Sequence, residues 1–304
     1  MNRPCPFCAS PDTRPWQQRP EGTFRVCGAC RSYLKDLDPE AFQRLHQTAF
    51  EDGAFIERIA SGAGGPQPDH RTWTRFFGHL PPGDVLEIGP GTGHLLAAAM
   101  ERGWKARGIE TSPTHRAWIK ATWGIETHAA LMDLPGDYQA DVIVLINVLE
   151  HVYDPAPLLS ELGGRLRPGG RMFLSLPNAG CTVASWMGVW WSMFKQSDHV
   201  SIPTRAGLEA LARRSGWTLD RIWSSELALE TPVGLAVALR DRKRAGANPR
   251  NAGPTPEPAL PPSTGHPSSL ARRMHRIPPG LDPIAQLSGW FFRAGTLKAW
   301  LVRP

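Results

Sequence analysis

The chain has 304 residues, of which 41% are hydrophobic and 20% charged, ordinary globular usage with enough apolar side chains for a real core. No apolar run nears the roughly eighteen residues of a membrane span and MNRPCPFCAS has no secretory h-region, so a cytoplasmic protein is expected. The net charge of +6 is uneven: residues 240–304 carry 11 Lys+Arg against 3 Asp+Glu, whereas residues 1–239 carry 23 against 25, so no nucleic-acid footprint is expected on the main body.

In chain order, residues 1–36 hold Cys5-Pro-Phe-Cys8 and Cys27-Gly-Ala-Cys30, two C-x2-C pairs separated by eighteen residues. This is the spacing of a four-thiolate zinc site, and a segment of this size needs metal for its folding energy. Two disulfides are the alternative, disfavoured in a reducing compartment. With Cys5, Cys8, Cys27 and Cys30 all as ligands the site is closed and therefore structural. Residues 37–79 read as a helical connector with apolar positions at Phe42, Leu45, Phe50, Phe55, Ile56 and Ile59. Residues 80–245 alternate short apolar runs with helical stretches, the pattern of a parallel α/β sheet. Strands are expected at 84–88, 105–110, 124–129, 140–147, 170–178 and 219–225, with helices at 94–103, 115–123, 155–167 and 204–216. Thr204 suits an N-cap and Gly216 a C-cap of the last helix. Residues 246–268, with seven Pro and three Gly, read as a disordered linker, and an ordered piece follows within 269–304.

The first strong strand runs into Glu87-Ile-Gly89-Pro-Gly91-Thr-Gly93 and then into a helix. The G-x-G-x-G spacing differs from G-x-G-x-x-G and suits a ligand brought close to bare backbone. Glu110 ends the next strand, where an acid can accept both hydroxyls of a ribose. From here the chain resembles the class I S-adenosylmethionine-dependent methyltransferases, through DVLEIGPGTGHLL, GIETSP and ADVIVLINVLEHVYDPAPLLSELGGRLRPGGRMFLSLPN. The resemblance covers residues 82–225. It implies a Rossmann-like seven-stranded sheet with S-adenosylmethionine over the strand carboxyl ends, Gly89–Gly93 against the methionine part, Glu110 on the ribose, Asp133-Leu134 near the adenine, and Asn147 facing the methionine end. The family often has an acid a few residues before Asp133, where this chain reads His128-Ala-Ala-Leu131. The four-cysteine ribbon followed by Tyr33 and Leu37-Asp-Pro39 resembles a bacterial subgroup whose members act on sugars and other biosynthetic intermediates.

Methyl transfer is an in-line displacement in which the protein supplies alignment and often a base. Glu150-His151 and Asp198-His199 are the candidate bases, with Tyr33 and Tyr153 as further hydroxyls. Asp198-His199 resembles the Glu-His pair of sugar C-methyltransferases, in which the histidine serves as base. Glu150-His151 otherwise caps the following helix. Asn147 stands where quinone-type O-methyltransferases with a metal here have an acid, which argues against a catalytic metal. Trp186, Trp190, Met193 and Phe194 fall at helical spacing, either as core or as an apolar lid. The expected acceptor is a small molecule such as a sugar. A lipophilic quinone-like or acyl acceptor and a non-catalytic cofactor-binding scaffold are the alternatives.

The basic runs Arg240–Arg244 and Arg272–Arg276 either solvate a linker or, with Trp290, Phe291, Phe292 and Trp300, meet a membrane surface or an acidic partner. Two segments compete for the last strand. Pro232–Arg240 reads better as a helix, since a Thr231 N-cap precedes proline. In 296–303, Leu297, Ala299 and Leu301 alternate with Lys298, Trp300 and Val302, so this segment is expected to close the sheet.

Overall fold

A computed structural model of the chain describes residues 3–19, 22–50, 56, 70–188, 191–196, 198–225 and 295–304. The N-terminal part forms β1 (Thr13–Arg19), β2 (Gly22–Cys27) and β3 (Tyr33–Lys35), followed by helices α1 (Pro39–Phe50) and α2 (His70–Phe77). Then come β4 (Asp84–Ile88), α3 (His94–Met100), β5 (Lys105–Ile109), α4 (Pro113–Trp123), β6 (Thr127–His128) and β7 (Ala140–Ile146). The rest comprises α5 (Pro155–Gly164), β8 (Leu166–Pro177), α6 (Thr182–Met187), α7 (Ser192–Lys195), β9 (Ser201–Ile202), α8 (Arg205–Arg214), β10 (Thr218–Ser225) and β11 (Thr296–Val302).

The main sheet has seven strands in the order β10-β11-β8-β7-β4-β5-β6. Strands β4 to β8 pair in parallel, and β11 inserts antiparallel between β8 and β10. Helices cover both faces, which is why the central strands are continuous apolar runs. On one face Leu86, Ile143, Leu145, Met172, Leu174, Leu297 and Leu301 pack with Leu159 of α5 and Leu208 and Leu211 of α8. On the other, Val85, Val142, Val144, Phe173 and Trp300 pack with Trp73 and Phe77 of α2.

Local chemistry sets the element ends. The Ser112 hydroxyl accepts from the His115 N–H at the start of α4, and Pro113 follows at the first helical position. Thr204 does the same for α8 through the Gly207 N–H, while the helix closes on Ser215, and Gly216 follows it at φ 77°. β8 begins at Leu166, four residues earlier than the Pro168-Gly169-Gly170 turn suggests. A register shift absorbs that turn, so Ala140 pairs with Leu166 before it and Val142 with Arg171 after it.

The cysteine-bearing segment does not stand apart. β3 pairs antiparallel with β9, so a four-stranded sheet β1-β2-β3-β9 takes its last strand from the main domain. Cys5, Phe7, Cys27 and Cys30 join the same buried cluster as Leu208 and Leu211. The Thr204 hydroxyl donates to the Cys30 carbonyl at 2.5 Å, and Arg214 donates to the Pro6 carbonyl at 2.8 Å. Arg3 donates to the Tyr153 carbonyl at 2.7 Å and lies 4.0 Å over that ring. Pro232–Arg240, the linker 246–268, the basic runs and Trp290–Phe292 lie outside the described residues.

Candidate functional site

At the carboxyl end of β4 the chain turns through Gly89, Gly91 and Gly93 with φ of 65°, 57° and 77°, a left-handed conformation that glycine adopts without a Cβ penalty. A Cβ on Gly89 would stand 3.0 Å from Val148, and one on Gly93 3.1 Å from Ile119 and Trp123. Glu110 sits directly beneath this loop and is 6% exposed. Its carboxylate accepts from the Gly91 N–H at 3.2 Å and from the Ser112 N–H at 2.9 Å, and His115 Nδ1 lies 3.7 Å away. It thereby ties the glycine loop to the start of α4 in the free protein. Glu87 is buried beside it, and burial, then the Glu110 charge, push its carboxyl up to about 8.

At the far end of the loop region, the Asp133 carboxylate accepts from the Ala130 N–H at 2.9 Å and so closes a single 3-10 turn. Leu134 points into the main core. Met132, just before Asp133, is 82% exposed, the large apolar side chain that this turn leaves in the open. Asn147 follows β7 at φ 53°, and its N–H donates to the Ser175 carbonyl at 2.8 Å.

The structure brings Glu150, His151 and His199 together, with one side-chain N or O atom of each within 4.8 Å of the others. The two imidazole rings lie 4.8 Å apart. Asp198 does not serve the adjacent His199: its carbonyl and carboxylate lie 3.1 and 3.4 Å from His151 Nδ1. His199 Nδ1 faces the Met193 carbonyl at 2.9 Å. A carbonyl only accepts, so each Nδ1 carries the hydrogen, and in a neutral His199 the lone pair is on Nε2. Burial, and next the charge of His151, lower His199 to about 4. Glu150 is 0% exposed, and neither carboxylate oxygen has a hydrogen-bond partner. Burial pushes it up to about 8, so near neutral pH it is a protonated acid.

Other candidates are occupied elsewhere. The Tyr153 hydroxyl donates to the Leu37 carbonyl at 3.1 Å, fastening the start of the connector. Tyr33 packs between Trp16 and Phe194, and Phe194 lies buried against Phe24 and Trp191. Phe194 is therefore core, with Met193 packed beside it, while the side chains of Trp186 and Trp190 lie outside the described residues.

The four N-terminal thiols converge. Cys5 and Cys30 sulfurs are 3.5 Å apart, as are those of Cys8 and Cys27, and all four lie within 4.8 Å of one another. None is in a disulfide. A tetrahedral ion with sulfur at about 2.3 Å separates its ligands by roughly 3.8 Å, which this cage fits. Each C-x2-C loop closes alike: Ala9 N–H donates to the Cys5 carbonyl and Arg31 N–H to the Cys27 carbonyl. Ala9 and Arg31 take φ of 60° and 62°.

The family model described as a methyltransferase domain matches residues 67–222, just over half of the chain. A Mycolicibacterium smegmatis protein named "Probable S-adenosylmethionine-dependent methyltransferase" is 34% identical over 98 residues, covering 31% of this chain and 38% of its own length. A ubiquinone biosynthesis O-methyltransferase of Idiomarina loihiensis is 29% identical over 171 residues, covering 52% of this chain and 67% of its own. Among solved structures, one from the complex of the Haloferax volcanii Trm112 methyltransferase activator with a methyltransferase superposes with a TM-score of 0.51 at 17% identity, covering 83% of this chain and 96% of that one. No helix among the described residues is long and apolar enough to cross a membrane. The strand order, the glycine loop with its acid and the family match agree: this chain belongs to the methyltransferase-domain family, with the class I fold.

Proposed function

We propose that the chain transfers the methyl group of S-adenosylmethionine to a small polar acceptor, a sugar or similar biosynthetic intermediate. The observation that carries the polar acceptor is a cavity of about 1130 Å3 at the carboxyl end of β8, lined by Arg31, Arg75, Asn178, Thr204, Arg221 and Trp223 among others. Four arginines, Arg31, Arg75, Arg205 and Arg221, stand in its wall beside the apolar Phe76 and Leu297, and Phe194, one of the side chains expected in an apolar lid, is spent on core packing.

When bound, S-adenosylmethionine supplies a methyl on a sulfonium. Gly89, Gly91 and Gly93 let its methionine end approach bare backbone, Glu110 accepts from the ribose hydroxyls, and the exposed Met132 beside Asp133 offers an apolar surface to the adenine. Glu87, ionising as the positively charged ligand arrives, stabilises that end. On the acceptor side, His199 Nε2 takes the proton of the attacking group, and His151, oriented by Asp198, stands beside it. Desolvation favours the neutral imidazole that a base requires. Cys5, Cys8, Cys27 and Cys30 hold a structural zinc ion.

The test is labelled methyl transfer from S-adenosylmethionine into small-molecule extracts, with mass identification of the product. Label in a polar product supports the reading, and label in a quinone or lipid fraction overturns the acceptor class. His199→Ala should lower turnover about 10²–10⁴-fold with cofactor affinity intact. Near-normal turnover would return the role to His151.

A further inference from the structure

We infer that Lys35, from the cysteine-bearing segment, is a positioning residue for the acceptor-side histidines; the inference rests on His199 being the proton acceptor. Lys35 ends β3 and is 1% exposed, an unusual place for an ammonium group. Its Nζ donates to the Gln196 carbonyl at 3.1 Å, and its backbone N–H donates to the Val200 carbonyl at 2.9 Å. One residue thus grips the chain on both sides of Asp198 and His199. The Val200 N–H in turn donates to the Glu150 carbonyl at 2.8 Å, next to His151. Both histidine-bearing turns are joined to the ribbon through this short path.

The grip also carries charge. His199 faces His151, Asp198 and Lys35, and Glu150 completes the cluster. Asp198 favours a protonated His199, which would be useless as a base. His151 and the Lys35 ammonium oppose that protonation. Glu150, held neutral by burial, adds little charge of its own. Lys35 therefore fixes the place of the imidazole, and its charge adds to burial and His151 in keeping the lone pair free. Sequence alone carries no sign of this, because a Lys beside Asp36 reads as a solvated surface charge.

The experiment uses the full chain with labelled histidine and follows the His199 ring by NMR as pH is lowered, in the wild type and in Lys35→Met. In the wild type the ring should stay neutral to below about pH 5. In Lys35→Met the midpoint should rise, and kcat should fall about tenfold. Zinc content and S-adenosylmethionine affinity should hold. Lys35→Arg, which keeps the charge, should return the midpoint towards the wild-type value. Identical midpoints in the wild type and Lys35→Met overturn the inference. Should Lys35→Met fail to fold, a wild-type midpoint at an ordinary histidine value overturns it without any variant, and a low one restored in Lys35→Arg sustains it. The base assignment is judged separately, by turnover of His199→Ala, so the two failures are distinguishable.

Discussion

Deleting residues 296–304 should unfold the main domain, although it removes a small fraction of the chain. β11 is interior: it pairs with β8 through seven residues, from Thr296 opposite Pro177 to Val302 opposite Arg171, and with β10 on its other edge. Leu297 and Leu301 are 2% and 0% exposed and Trp300 is 6% exposed. Burial of two leucines and a tryptophan is worth roughly 4.5–9 kcal/mol at about 1.5–3 kcal/mol for each large side chain. That is comparable to the whole stability of a typical domain, about 5–15 kcal/mol. The deletion also leaves an edge of β8 and an edge of β10 without partners. The assay is urea unfolding followed by far-UV circular dichroism, with S-adenosylmethionine titration of whatever remains soluble. A milder companion is Leu301→Ala, which should cost about 2–5 kcal/mol by leaving a cavity. If the truncated chain unfolds at the wild-type midpoint and still binds the cofactor, the interior placement of this strand is wrong.

Three further outcomes follow from the site. Glu110→Ala should weaken S-adenosylmethionine binding by roughly 1.5–3 kcal/mol and, because the Gly91 and Ser112 N–H groups lose their acceptor, should also lower the stability of the free protein by about 1–3 kcal/mol; calorimetry and denaturation measure the two separately, and an unchanged affinity refutes the assignment. Cys27→Ser should lose about one zinc per chain by elemental analysis and, since β9 hangs on the ribbon, should impair acceptor turnover more than cofactor binding; full turnover without metal would count against it. Burial raises Glu87 and Glu150 to about 8 from 4.5, so between those values the folded chain binds more protons than the unfolded one, and stability of the free protein should fall as pH rises through that window. A denaturation midpoint rising from about pH 5 to pH 8 would contradict this, once the smaller opposite contribution of His199 below its ordinary value is allowed for.

The parts of the fold legible in the sequence are those whose periodicity is long. Residues 84–88 and 140–146 are continuous apolar runs because both sheet faces are covered, and 296–302 shows the alternation that separates Leu297, Ala299 and Leu301 from Trp300. The glycine loop and Glu110 were legible as a strand-turn-helix with an acid after the next strand. What was not legible depends on meetings between distant segments. A two-residue strand such as β9 has no period to read, so its pairing with β3 left no trace. The partner of Asp198 is set by a ring 47 residues away, not by its neighbour His199. Lys35 and Glu150 are charged residue types whose burial only the assembled fold imposes.

The shared sheet of β1, β2, β3 and β9 has a consequence for how such a protein could be divided or recombined. The covalent connection through residues 36–69 is not what seats the cysteine ribbon; the strand pairing, the Thr204–Cys30 bond and the Arg214–Pro6 bond do that. A ribbon supplied as a separate polypeptide has its docking edge ready in Ser201–Ile202, so two fragments split within the connector should reassemble. A ribbon borrowed from another protein must instead match that edge, so the unit to exchange is the ribbon together with residues 200–204, two stretches far apart in the chain that must be moved as one.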